Sequence, residues 1–139
     1  MPKLLSKKMR YRMTSDAVDF FERNVVRRVS QDEAIVADPA TGGQKGSKLA
    51  RFDLLPWEEL FEVAELYGVG AAKYAERNWE LGYKWSLSFA ALLRHLVLFW
   101  CGESLDKETG KHHLTSVVFH ALAMMHFDVH KKGSDDRSV

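Results

Sequence analysis

The stretch SLSFAALLRHLVLFWC, residues 86–101, constrains the fold more than any other part of the chain. From Leu87 to Cys101 it is almost continuously apolar. That run suits a helix buried against other helices, and it falls short of the roughly 20 residues needed to cross a bilayer. Arg94 and His95 also interrupt its middle. No transmembrane segment is expected. Ser86 can cap such a helix and Gly102 can stop it. An apolar segment of this kind needs further apolar helices to cover it.

Two other segments have the required spacing. Residues 57–75 place Leu60, Val63, Ala64 and Tyr67 on one stripe, with Pro56 suited to the first turn. Gly68 and Gly70 predict a bend or break in it. Residues 112–131 carry Leu114, Val117, Val118, Phe119, Leu122, Met125 and Phe127 on an arc wide enough to predict a largely enclosed helix. Upstream, Ser15 or Asp16 can cap a helix bearing Val18, Phe21 and Val25, preceded by a basic arm of 13 residues. Residues 34–37 read as a strand without a partner, and residues 41–48 as a flexible turn. Residues 76–85 read as a connector, 103–111 as a loop and the last residues as a polar tail. The expected fold is all-α: a bundle of about four main helices with an N-terminal extension. The expected division is an arm and helix over 1–40 and a helical domain over 41–139. The wide apolar arcs also predict self-association as a dimer or tetramer.

Charge and cysteine content narrow the function. The net charge of +1 provides no global field for nucleic acid or an anionic membrane, so neither is an expected partner. The single cysteine, Cys101, excludes an internal disulfide framework and a Cys-rich zinc site, and it fits a reducing cytoplasm. The basic N-terminus has no apolar core of a secretory signal, so a cytoplasmic location is expected.

The residues that can carry chemistry are acids, histidines and a few cations. Glu58, Glu62 and Glu65 share a helix face by their spacing. Like charges at i, i+4 repel by about 0.2–0.5 kcal/mol per pair, which either water or a divalent cation offsets. Glu103 and Asp106 follow a helix C-terminus, where the macrodipole disfavours acids and a hard cation would reverse the penalty. They read equally as a hydrated loop. Arg94 on so apolar a helix predicts either a buried carboxylate partner or a ligand phosphate. His95 alone reads first as a packed boundary histidine. His113 and His120 share a face of the last helix, which suits polar contacts to a substrate or support of other ligands. Zinc has little support there, since neither HExxH nor a cysteine partner accompanies them. Trp79, Tyr83 and Trp85 can stack on a base or pack in the bundle. GGQKGSK does not satisfy the phosphate-loop pattern, and DKETG fails as a calcium loop.

Taken in order, TGGQKGSKLARFDLLPWEEL, GAAKYAERNWELGYKWSLSFAALLRHL, GESLDKETGKHHL and the final DDR resemble a phage-borne family. This is the dATP/dGTP diphosphohydrolase N-terminal-type family, related in fold to the MazG-like all-α nucleoside triphosphate pyrophosphohydrolases. The resemblance covers residues 38–139; Ser138 stands where the family ending often has Pro. It implies hydrolysis of a purine deoxynucleoside triphosphate to monophosphate and pyrophosphate, with Mg²⁺ or Mn²⁺ held by acids of an EExxE and an ExxD. EELFE at 58–62 and ESLD at 103–106 match those patterns.

The implied metal ligands are Glu58, Glu62, Glu103 and Asp106. Glu62, Glu103, Asp106 and His95 are the implied catalytic groups. Lys48, Arg51, Lys73 and Arg94 are the expected phosphate partners. Asn78 is expected to read the base edge, Tyr74 or Trp79 to stack on it, and His113 and His120 to contact the substrate. Two other classes remain: a phage nucleotide-binding protein that sequesters without turnover, and a helical partner-binding protein.

Overall fold

The computed structural model describes residue 23 and residues 33–138. The helix expected near residues 16–28 lies outside them. The chain divides into two compact units, one ending at Leu55 and the other starting at Pro56.

The described part of the first unit is a β-hairpin. β1 (Glu33–Ala37) pairs antiparallel with β2 (Gln44–Lys48), with Glu33 opposite Lys48 and Ala37 opposite Gln44. The lone strand and the flexible turn read from sequence are thus two arms of one hairpin. Asp38 makes the connection. Its Oδ1 accepts from the amides of Ala40 and Thr41 at 2.8 and 2.9 Å, as short polar side chains do in turns. Its own amide donates to the Gly43 carbonyl at 2.8 Å, while Gly42 supplies the left-handed φ of 74°. A single 3₁₀ turn, Phe52–Leu54, follows.

The second unit holds three helices: α1 (Trp57–Lys73), α2 (Trp85–Trp100) and α3 (His113–His130). A 3₁₀ turn, Asn78–Leu81, separates α1 from α2. Among the described residues the protein is therefore mostly helical, with three helices and a two-stranded sheet rather than a four-helix all-α bundle. α1 passes through Gly68 and Gly70 unbroken. The propensity cost of each glycine, about 1 kcal/mol, is outweighed by packing of α1 on α3. Tyr67 meets Phe119 edge to face at 4.9 Å and Trp79 at 5.8 Å.

The core lies where Trp85, Ala123 and Phe127 are buried together, with Trp79 and Tyr83 packed against them. Trp85, Tyr83 and Trp79 thus serve packing. α2 starts at Trp85, with Lys84 at the cap position. Ser86 is not the cap; its amide and hydroxyl donate to the two Asp136 oxygens at 2.9 and 2.5 Å.

The polar tail is therefore a strap. The Ser134 amide donates to the Tyr83 carbonyl and the Trp85 amide to the Ser134 carbonyl, both at 3.1 Å. Trp85 Nε1 donates to the Lys132 carbonyl at 2.8 Å, and Arg137 lies 4.6 Å over the Trp85 ring. Gly82 and Gly133 face each other so closely that a Cβ on either would overlap the other strand's backbone.

α3 is not largely enclosed. Val118, Leu122, Met125 and Val129 are exposed, as are Phe89, Leu93, Val97 and Trp100 on α2. One small unit lacks the elements to cover both arcs. No described helix is long and apolar enough to cross a membrane.

Candidate functional site

The site forms where α2, the following loop and α3 converge. α2 ends with a Gly102 φ of 100°, and the Glu103 amide donates back to the Leu98 carbonyl at 3.0 Å. The chain then folds on itself. Leu105 bridges His112, the Asp106 amide donates to the Lys111 carbonyl at 2.8 Å, and the Gly110 amide to the Asp106 carbonyl at 2.7 Å. Asp106 Oδ2 accepts from the Thr109 hydroxyl at 2.9 Å and Oδ1 from the Glu108 amide at 3.3 Å. This closed loop delivers His113 to the start of α3, facing α2. The His112 ring accepts from the Leu114 amide and caps the helix.

His113 is fully buried. Its Nδ1 lies 2.8 Å from Nδ1 of His95, and its Nε2 lies 3.2 Å from Oε1 of Glu103. The ligand atoms of His95, Asp106 and His113 lie within 4.8 Å of one another, the one such donor cluster among the described residues. His120 extends the column. Its ring stacks on His95 with centroids 6.3 Å apart, and its Nδ1 lies 3.0 Å from Ser88 Oγ, which pairs with the Tyr83 hydroxyl at 2.7 Å.

The electrostatics follow from this packing. Burial pushes His120 down to about 4, with His95 and Arg94 adding to the effect. Burial also lowers His95, against the opposing pull of Asp106. Both rings are neutral at pH 7. The hydrogen bond from His113 holds Glu103 below its ordinary value. Burial works to raise Asp106, but the Thr109 and Glu108 hydrogen bonds and the nearby histidines outweigh it and the net shift is downward.

The structure gathers some expected residues and separates others. Glu103, Asp106, His95, His113 and His120 come together. Arg94 is exposed. It therefore needs no buried carboxylate, and its charge is felt by His95 and His120. Lys73 pairs with Glu108 at 3.2 Å beside the exposed Tyr74. Glu58 and Glu62 are exposed on α1, outside the three-residue donor cluster. Glu62 does act on Lys111, which pairs with Glu65. Asn78 is exposed in its 3₁₀ turn. Trp79 is half-buried, its ring edge-on to Phe119 and 4.9 Å from His126. Lys48 and Arg51 belong to the first unit, where Arg51 grips Asp53 at 2.8 and 2.6 Å.

Sequence reading missed Ser88, Lys111 and the direct His95–His113 contact. The contact joins residues 18 apart on different helices, so only the closed Asp106–Gly110 loop could have signalled it.

A model of the family described as dATP/dGTP diphosphohydrolase, N-terminal, matches residues 39–137. No curated protein and no solved structure matches the chain.

Proposed function

The chain belongs to the dATP/dGTP diphosphohydrolase N-terminal family, and on that premise we propose that it hydrolyses a purine deoxynucleoside triphosphate to the monophosphate and pyrophosphate. The observation that carries this reading is the convergence of Glu103, Asp106, His95 and His113 at one end of the α2–α3 pair. Acids and imidazoles meet there beside an exposed arginine, which is the equipment that phosphoanhydride hydrolysis requires.

Water adds to phosphorus and the bond to the bridging oxygen breaks, so a proton must be accepted and a polyanion must be held. The Glu103 carboxylate, held below its ordinary value, takes the proton, and His95 orients the attacking water. Arg94 and Lys73 bind the phosphates, and Lys73 must exchange Glu108 for the ligand to do so. His120 offers its remaining ring nitrogen to the substrate, because Ser88 occupies the other. Tyr74 and Asn78 lie exposed for the base and sugar.

A divalent cation, Mg²⁺ or Mn²⁺, supplies charge neutralisation and activation of water when bound. Asp106 and Glu103 fit it in chemistry. Each Asp106 oxygen accepts only one protein hydrogen bond and keeps a lone pair. Glu62, with Glu58, would contribute from α1.

The exposed apolar faces of α2 and α3, Trp100 at 85% exposure among them, support association into a dimer or tetramer. Light scattering on the wild type and on Trp100→Glu tests this. A monomeric wild type sinks it.

The function is tested by incubating the protein with each common NTP and dNTP in Mg²⁺ or Mn²⁺ and resolving the products. Monophosphate plus pyrophosphate from dATP or dGTP supports the proposal. Intact nucleotide recovered from tightly bound protein replaces it with sequestration. Neither binding nor turnover leaves a helical partner-binding protein.

A further inference from the structure

We propose that His95, Asp106 and His113 form a divalent transition-metal site of the two-histidine, one-carboxylate kind, selective for Mn²⁺, Co²⁺ or Zn²⁺ over Mg²⁺. The site does not depend on nucleotide turnover.

The argument begins with proton placement on His113. Its Nε2 faces the Glu103 carboxylate at 3.2 Å. An ionised carboxylate only accepts, so the Nε2 carries the hydrogen and Nδ1 presents a lone pair. That lone pair points at His95 Nδ1, 2.8 Å away. A buried imidazole fixed in this way by a carboxylate is the arrangement that orients metal-ligating histidines. His113 is fully buried, so the orientation is imposed by packing as well.

Distances decide whether an ion fits. Two nitrogens each about 2.1 Å from one ion, at angles of 90–109°, lie about 3.0–3.4 Å apart. The observed 2.8 Å is a His–His hydrogen bond. Opening it by a few tenths of an ångström admits the metal. The proton on His95 Nδ1 moves to its Nε2, so no net proton is lost and both Nδ1 atoms become ligands.

Asp106 supplies the oxygen. The closed loop fixes its position, and its ligand atom lies within 4.8 Å of both histidines. Three protein ligands leave coordination positions open. A set of two imidazoles and one carboxylate suits borderline metals, whereas Mg²⁺ prefers an all-oxygen shell. The competing candidate is the His126–His130 pair on α3, one turn apart with ring centroids at 4.4 Å, but it brings no carboxylate into a donor cluster.

The test is a Co²⁺ titration of the full-length, metal-stripped protein, followed by visible absorption and calorimetry, with Zn²⁺ and Mg²⁺ as competitors. His113 is left intact because it is buried, and the variants are His95→Gln, Asp106→Asn and His130→Gln, each checked for an unchanged circular dichroism spectrum. One equivalent of Co²⁺ is expected, displaced by Zn²⁺ but not by a hundredfold excess of Mg²⁺, and weakened at least about tenfold in the first two variants. Binding no tighter than that of Mg²⁺, or lost only in His130→Gln, overturns the proposal. Because absorption reads metal and not turnover, a protein that binds Co²⁺ but leaves dATP and dGTP intact retains this site and loses the hydrolase reading.

Discussion

The two ends of α2 hold their polar side chains in opposite ways. At its N-terminus the chain's last residues fasten it. Both Asp136 oxygens are occupied by Ser86, and the Arg137 guanidinium grips Asp135 at 2.8 and 2.7 Å while lying over Trp85. In its second half, polar groups converge without closing. Asp106 keeps free lone pairs, His113 aims a nitrogen at His95, and Arg94 stands exposed beside them. Saturated pairs specify a fold, whereas convergent groups with spare capacity can take a ligand. The two sequence signatures, DDR and GESLDKETGKHH, thus do different work: one anchors the start of α2 and the other gathers acids and histidines beyond its end.

Trp85→Ala should separate the ends most sharply. The ring is buried against Phe127 and also seats Arg137. Removing it should cost about 3–5 kcal/mol in denaturant unfolding. A loss under about 1 kcal/mol would show that the strap does not anchor the core. Asp106→Asn should do the converse. Turnover should fall about 100-fold or more, while the unfolding midpoint stays near that of the wild type. A variant that keeps its rate breaks the comparison, because the convergent end would then be structural too.

The helices were legible because their apolar spacing is strong. The segments read as 86–101 and 112–131 differ from α2 and α3 by one residue at each end. The pairing of β1 with β2 was not legible. QKGSK has no apolar alternation, and its hairpin rests on backbone bonds and the Asp38 turn. The strap was hidden for a similar reason: Asp136 and Arg137 read as solvated charges until their partners, about 50 residues away, are known. At the site, the sequence marked Glu103, Asp106 and His95 individually. His113 was marked as a substrate contact, but its burial between them became visible only once the loop closed, and Arg94 proved exposed because its face of α2 is not covered within this unit.

A smaller effect concerns His120. The folded protein holds its ring neutral, with the value down at about 4, against an ordinary 6.5. The unfolded chain therefore takes up a proton first as pH falls. Stability from this group is complete above 6.5 and declines as pH drops toward 4. His120→Gln should make the pH 7-to-4 stability profile shallower, with His95 and His126, also lowered by burial, keeping part of the slope. An unchanged profile would mean that the imidazole column does not resist protonation.

The smallest effect belongs to the strap. Asp136→Ala removes the partner of Ser86 and should lower the melting temperature by a few degrees at pH 7 without changing activity per folded molecule. The Ser86 hydrogen bonds hold the Asp136 carboxyl below 3.8. Its contribution is present above that value and is lost as pH falls through the lowered one. The melting gap between wild type and Asp136→Ala should therefore persist at pH 5 and close in stronger acid. A gap that stays open there would mean that the protonated Asp136 still holds Ser86, no gap at pH 7 would assign the anchor to Trp85 and Arg137 alone, and a change in activity would mean that the fastening end reaches the chemistry through α2.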